Sequence, residues 1–92
     1  MPNLFTVCGY KIYFWSNENN EPIHVHVSKG KPSPTATKIW LTKSGGCIVA
    51  SNGSNIKSKE LNELMEFISA QFFLICDAWK MHFVTDEIEF YC

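Results

Sequence analysis

The sequence predicts an α+β domain in which a small, largely antiparallel sheet of four to six strands packs against one long helix. Three observations carry this. Up to about residue 50 the chain is a series of short runs alternating apolar with polar residues, separated by Gly, Pro and Asn. After residue 57 the apolar period changes to that of a helix. Of the 92 residues 46% are hydrophobic, including seven Phe, three Tyr and three Trp, and 18% are charged, below the usual ~25%. That is one domain's worth of chain with enough apolar material for a core, which argues against disorder.

Leu4 to Cys8 reads as a first strand ended by Gly9, and Lys11 to Ser16 as a second in which Ile12 and Phe14 alternate with Lys11, Tyr13 and Trp15. The short link between them implies a hairpin. Ser16 to Pro22 is a polar loop. In a third strand, Ile23 to Val27, the period of two sets Ile23, Val25 and Val27 on one face and His24 and His26 on the other. Gly30 to Pro34 is a turn. Thr35 to Thr42 is a fourth strand with Lys38 and Trp40 opposite Thr37, Ile39 and Leu41. Cys47 to Ala50 is a short apolar run suited to a fifth strand, and Ser51 to Asn55 a loop.

The helix begins at Ser58, a good N-cap, with Glu60 in its first turn and Lys80 and His82 near its end, where cations suit the dipole. Leu61, Leu64, Met65, Ile68, Phe72, Ile75, Cys76 and Trp79 follow helical spacing and form the stripe that covers the sheet. Phe67, Phe73 and Leu74 fall off that stripe, and one small sheet cannot bury them all. Glu87 to Cys92 alternates again, as a last strand at the sheet edge would.

Composition narrows the function classes. The longest apolar run, Phe72 to Cys76, is far short of the ~20 residues that span a bilayer, and Met1-Pro2-Asn3 has neither a basic leader nor an apolar region. A cytoplasmic protein with no membrane role is the expectation. The cysteines Cys8, Cys47, Cys76 and Cys92 form no Cys-x-x-Cys pair and are expected as thiols. Charge is unevenly distributed. Between residues 22 and 59 stand Lys29, Lys31, Lys38, Lys43, Lys57 and Lys59 with no acid, whereas residues 60–92 hold Lys80 against seven acids. Such asymmetry bears on partners rather than on fold. The absence of arginine weakens bidentate recognition of phosphate or guanine.

The stretch Gly9-Tyr10-Lys11, then Phe14-Trp15-Ser16-Asn17-Glu18, then Glu21-Pro22-Ile23-His24-Val25-His26-Val27 resembles the signature of small prokaryotic proteins catalogued as domain of unknown function 4160. Ala36 to Leu41 resembles that family's following strand, and Leu61 through Asp77-Ala78-Trp79 its terminal helix, so the likeness spans roughly residues 2–83. Ile23 stands where the family usually has a second proline, the stretch Gly30 to Pro34 is extended, and residues 84–92 form a tail that many members lack. The resemblance implies no particular reaction. It implies a toxin–antitoxin-like or mobile-element setting with another small partner.

Three groups of residues are candidates for function. His24 and His26 share a strand face, so both imidazoles could meet one ligand. A zinc site would need further ligands from His82, Glu18, Glu21 or a cysteine, and no spacing demands it, so no metal and no cofactor is expected. As an acid/base pair assisted by Lys29 or Lys38, the same two histidines could cleave RNA without metal. The plain alternative is that they hydrogen-bond the neighbouring loop. Lys29, Lys38 and Trp40 could track a phosphate backbone and stack a base, although scattered lysines also simply protect strand edges. Finally, Glu63, Glu66, Asp86, Glu87 and Glu89 surround the surplus apolar residues Phe67, Phe73 and Leu74, the composition of a protein interface with an apolar centre and charged rim. No phosphate-binding loop, nucleophile elbow or paired-carboxylate arrangement is visible.

The expectation is therefore a small protein-binding module that docks another protein, or its own copy, through the helix and the acidic second half. Carboxylates standing in for phosphates would let it inhibit a nucleic-acid-handling or defence complex, in the manner of an anti-CRISPR protein. The alternative is the metal-independent RNA-acting component described above.

Overall fold

The computed structural model describes residues 3–14 and 21–92. Five strands, β1 (Asn3–Val7), β2 (Tyr10–Tyr13), β3 (His24–Lys29), β4 (Thr37–Leu41) and β5 (Cys47–Asn52), form one antiparallel sheet in sequence order, followed by helices α1 (Ser58–Ala70) and α2 (Phe72–Phe83). The strands begin and end within a few residues of the expected bounds. Trp15, Ser16 and the loop residues up to Asn20, Glu18 among them, lie outside the described residues.

The β1–β2 link is the two-residue turn Cys8-Gly9, with φ of 51° and 84°. Two left-handed residues in succession define the hairpin turn whose twist matches that of its strands, and Gly9 supplies the second without steric cost. At the other end of the sheet β4 and β5 shift register between Lys38 and Ile39, so Ile39 faces Val49 while Lys38 faces Ser51. The β5–α1 connection is tied down by a polar knot. Thr37, fully buried, donates its hydroxyl to the Asn52 side chain at 2.7 Å, and Asn52 in turn accepts from the Ile56 amide and donates to the Ile56 carbonyl.

One face of the sheet, with Ile12, Phe14, Ile23, Val25, Val27, Ile39 and Leu41, packs against Leu64, Ile68, Phe72, Ile75, Cys76 and Trp79 of the helices. These are the expected core stripe and strand faces. The helix itself is corrected: two helices replace the single long one, broken at Gln71 (φ −99°, ψ 18°), whose amide is shared between the Phe67 and Ile68 carbonyls. No Pro or Gly marks the break. The buried stripe runs through it in phase, so both halves feed one core. The N-cap is also corrected. Lys57 holds that position with extended backbone, and Ser58 is the first helical residue.

The tail from Glu87 is not a sixth strand. It is an extended segment crossing one end of the sheet, where the Ile23 amide donates to the Glu89 carbonyl (2.8 Å) and the Lys43 amide to the Cys92 carbonyl (2.9 Å). Its alternation is nonetheless that of the sequence, since Ile88 and Phe90 pack on the core while Glu87, Glu89 and Tyr91 remain exposed. Two widely spaced bonds do not make a ladder, which is why the alternation misled. Among the described residues, no helix is long and apolar enough to cross a membrane.

Candidate functional site

Two surfaces compete for the role of functional site: the sheet face opposite Ile23, Val25 and Val27, and the outer side of the helices.

On the sheet face, the register sets His24 opposite Trp40, His26 opposite Lys38, and Tyr13 opposite His26. His24, His26, Lys38 and Trp40 are therefore brought together. Lys29 is not: it stands exposed at the far end of β3 and, by the strand's alternation, on the helix side. His24 is 1% exposed and His26 7%. The His24 ring meets His26, Trp40 and Trp79 edge-on at centroid distances of 5.0, 5.3 and 5.5 Å. Its Nδ1 lies 2.8 Å from the Pro22 carbonyl, which can only accept, so Nδ1 carries its proton and in the neutral ring Nε2 is the acceptor. His26 stacks on Tyr13 at 5.8 Å, and the Tyr13 hydroxyl accepts the Ser33 amide at 3.1 Å, closing the Gly30–Pro34 turn over this end of the face.

The lysine and tryptophan are likewise engaged. Lys38 Nζ sits 2.6 Å from Glu21 Oε1 and 4.3 Å from the centre of the Trp40 ring, an ion pair and a cation–π contact at once. Tyr91 of the tail stacks nearly parallel on Trp40 at 5.0 Å. The partners Glu21, Tyr91 and Trp79 are not evident from strand alternation, because each reaches the face from outside the sheet. The remaining histidine, His82, packs against Phe14 and Phe83 instead of joining the pair. Among the described residues no group of three or more His, Cys, Asp or Glu is placed to hold a metal ion.

The helices offer the opposite: surface without intramolecular cover. On α1, Glu63 and Glu66 are exposed, while Phe67 is half-buried with its ring edge-on to Phe5 at 5.1 Å. On α2, Phe73 is 80% and Leu74 58% exposed. Two further residues extend this patch, Met81 at 80% and Val84 at 88%. They escaped notice in the sequence, although the spacing Phe73, Asp77, Lys80 with Met81, then Val84 is a helical stripe. Asp86, beside Val84 at the end of this surface, is exposed, as are Glu87 and Glu89 of the tail. Of the expected interface residues, Phe73 and Leu74 are exposed on α2, Asp86 lies with Met81 and Val84 at the end of that helix, Glu87 and Glu89 line a recess with Glu21 and Trp79, Glu63 and Glu66 line the neighbouring helix, and Phe67 belongs largely to the fold.

A second feature lies between the hairpin and α1, a cleft of about 240 Å³ lined by Val7, Cys8, Tyr10, Glu60, Glu63 and Leu64. Across it the Tyr10 hydroxyl donates to Glu60, and that bond, with burial, pushes the Tyr10 pKa above its ordinary value. Burial similarly raises the thiols of Cys47 and Cys76, which makes them poor nucleophiles.

Searches of curated proteins and of solved structures found no match for this chain. A family model described as domain of unknown function (DUF4160) matches residues 9–80, from the glycine of the hairpin turn through the His-x-His strand and on to Lys80. The matched segment lies within the span carried by the sequence resemblance and covers most of the molecule, and the chain belongs to that family.

Proposed function

We propose that this protein is a protein-binding module whose docking surface is the outer side of α2, with the acids of α1 and the tail as its charged border. One observation carries the reading: four large apolar side chains, Phe73, Leu74, Met81 and Val84, stand 58–88% exposed along one helix. Large exposed apolar side chains gathered on one surface among charged ones are the usual mark of an interaction site. The carboxylates Glu63, Glu66, Asp86, Glu87 and Glu89 suit a basic partner, such as the groove of a nucleic-acid-handling or defence complex met in a toxin–antitoxin-like or mobile-element setting.

The same reading accounts for the histidines. An acid/base pair acting on RNA must reach the scissile phosphate, whereas His24 and His26 are buried, Lys38 is held by Glu21, and Trp40 is covered by Tyr91. These residues support a structural part in the sheet face and favour docking over cleavage. Capture of protein by the immobilised chain tests the reading. Phe73→Asp should abolish capture, and Glu63→Lys with Glu66→Lys should weaken it at low salt; capture unchanged in all of these variants would rule out this surface.

A further inference from the structure

We infer that the apolar side of α2 pairs with a second copy of the same chain, in an antiparallel two-fold contact that leaves Glu63, Glu66, Glu87 and Glu89 for other partners. The inference rests on the docking function proposed above and names the occupant of its apolar centre.

Three features of the surface point to a copy of itself. The first is its charge. The stripe carries one anion and one cation in its middle, Asp77 and Lys80, both exposed. Two α2 helices laid side by side in parallel would set like charge on like. Laid antiparallel about a two-fold axis between these residues, Asp77 of each copy meets Lys80 of the other, twice over. An isologous contact requires this kind of self-complementarity.

The second is its shape. The same antiparallel register brings Phe73 to the level of Val84 in the other copy. Beside Val84 lies an open groove of about 420 Å³ lined by Lys80, Met81, Val84, Thr85 and Asp86. Phe73, 80% exposed, would lie over this shallow depression, and the symmetry supplies both contacts at once. Large aromatic side chains are frequent energetic centres of interfaces.

The third is backbone conformation. Val84 caps α2 with φ 50° and ψ 56°, a left-handed conformation that a β-branched residue adopts at a cost. In the single chain its side chain gains little in return, being 88% exposed. In the paired arrangement it forms one wall of the depression over which the phenyl ring lies.

Sedimentation equilibrium of the purified chain under reducing conditions, from roughly 1 µM to 1 mM, tests the proposal directly. A reversible monomer–dimer equilibrium is expected. Phe73→Asp should weaken it by about 30-fold or more, and Lys80→Asp by about 3- to 10-fold, the latter more strongly at low salt. The double variant Asp77→Lys, Lys80→Asp exchanges the charges and should restore the dimer to within about 3-fold of the original. All these positions are exposed, so far-ultraviolet circular dichroism should show folded variants. A chain that stays monomeric at 1 mM, or a dimer indifferent to Phe73→Asp and to the single change Lys80→Asp, overturns the pairing. Failure of the pairing is distinguishable from failure of the docking function. A monomeric chain that captures a different protein, and loses it with Phe73→Asp, keeps the docking function and refutes the second copy as occupant. A monomeric chain that captures nothing refutes both.

Discussion

Replacing His24 separates a structural histidine from a catalytic one. The ring is 1% exposed, meets three aromatic rings at 5.0–5.5 Å, and donates from Nδ1 to the Pro22 carbonyl at 2.8 Å. Truncation to Ala removes a buried ring, about 3 kcal/mol by comparison with other large-to-small core changes, and one hydrogen bond, about 1 kcal/mol. The sum of about 4 kcal/mol, at roughly 4–8 °C per kcal/mol for a domain of this size, lowers the melting temperature by some 16–32 °C. Phe in its place keeps the packing and loses the bond, so about 1–2 kcal/mol is expected. Urea denaturation followed by circular dichroism measures both, with RNA incubated in parallel as the functional readout. A His24→Ala variant within 0.5 kcal/mol of the parent would refute the packing argument. A stably folded His24→Phe variant that loses an RNA-cleaving activity present in the parent would refute the structural role.

Three further expectations follow from local geometry. Gly53→Ala places a Cβ 1.9 Å from the Thr35 carbonyl oxygen, a backbone atom that no rotamer change can move aside, and should cost about 2–3 kcal/mol in denaturant unfolding. Val84→Gly relieves the left-handed helix cap and should raise monomer stability by about 1 kcal/mol when measured at low micromolar concentration, while weakening association at high concentration. The pH dependence should be alkaline. Tyr10, Cys47 and Cys76 all have folded-state pKa values above their ordinary ones, so their protonated forms are favoured by the fold. Their contribution is complete below the unfolded values of 9.0 for the thiols and 10.0 for the tyrosine, and is lost as pH rises through the folded ones. Thermal melts should therefore decline above pH 9, and Tyr10→Phe should flatten the part above pH 10.

The sheet was legible because each strand obeys one rule throughout: Ile23, Val25 and Val27 against His24 and His26, Ile39 and Leu41 against Lys38 and Trp40. The helical stripe was legible for the same reason. The break at Gln71 was not, since glutamine is an ordinary helix former and neither Pro nor Gly stands near it. Nor was the polar knot of Thr37, Asn52 and Ile56, in which residues that read as loop or strand edge satisfy one another across the turn into α1. In the candidate sites, alternation set His24 with His26 and Lys38 with Trp40, but Lys29, also expected among them, is turned by the same alternation to the other side of β3, and the pattern said nothing of what roofs them. Glu21 and Tyr91 arrive from a loop and a tail, through contacts distant in sequence. Phe73 and Leu74 were identified by being off the stripe; Met81 and Val84 required knowing where α2 ends.

The strand order bears on how the molecule assembles. Every ladder in the sheet joins a strand to the next in the chain, so pairing can proceed like a zip, each step closing only a short loop. The tail reverses this economy, because its bonds from Glu89 to Ile23 and from Cys92 to Lys43 bring together positions far apart in the chain. Those clasps close the longest loops and so have the greatest entropy to overcome. They should fasten last when the chain folds and be the first to let go when it is warmed, opening the end of the sheet while its middle remains shut.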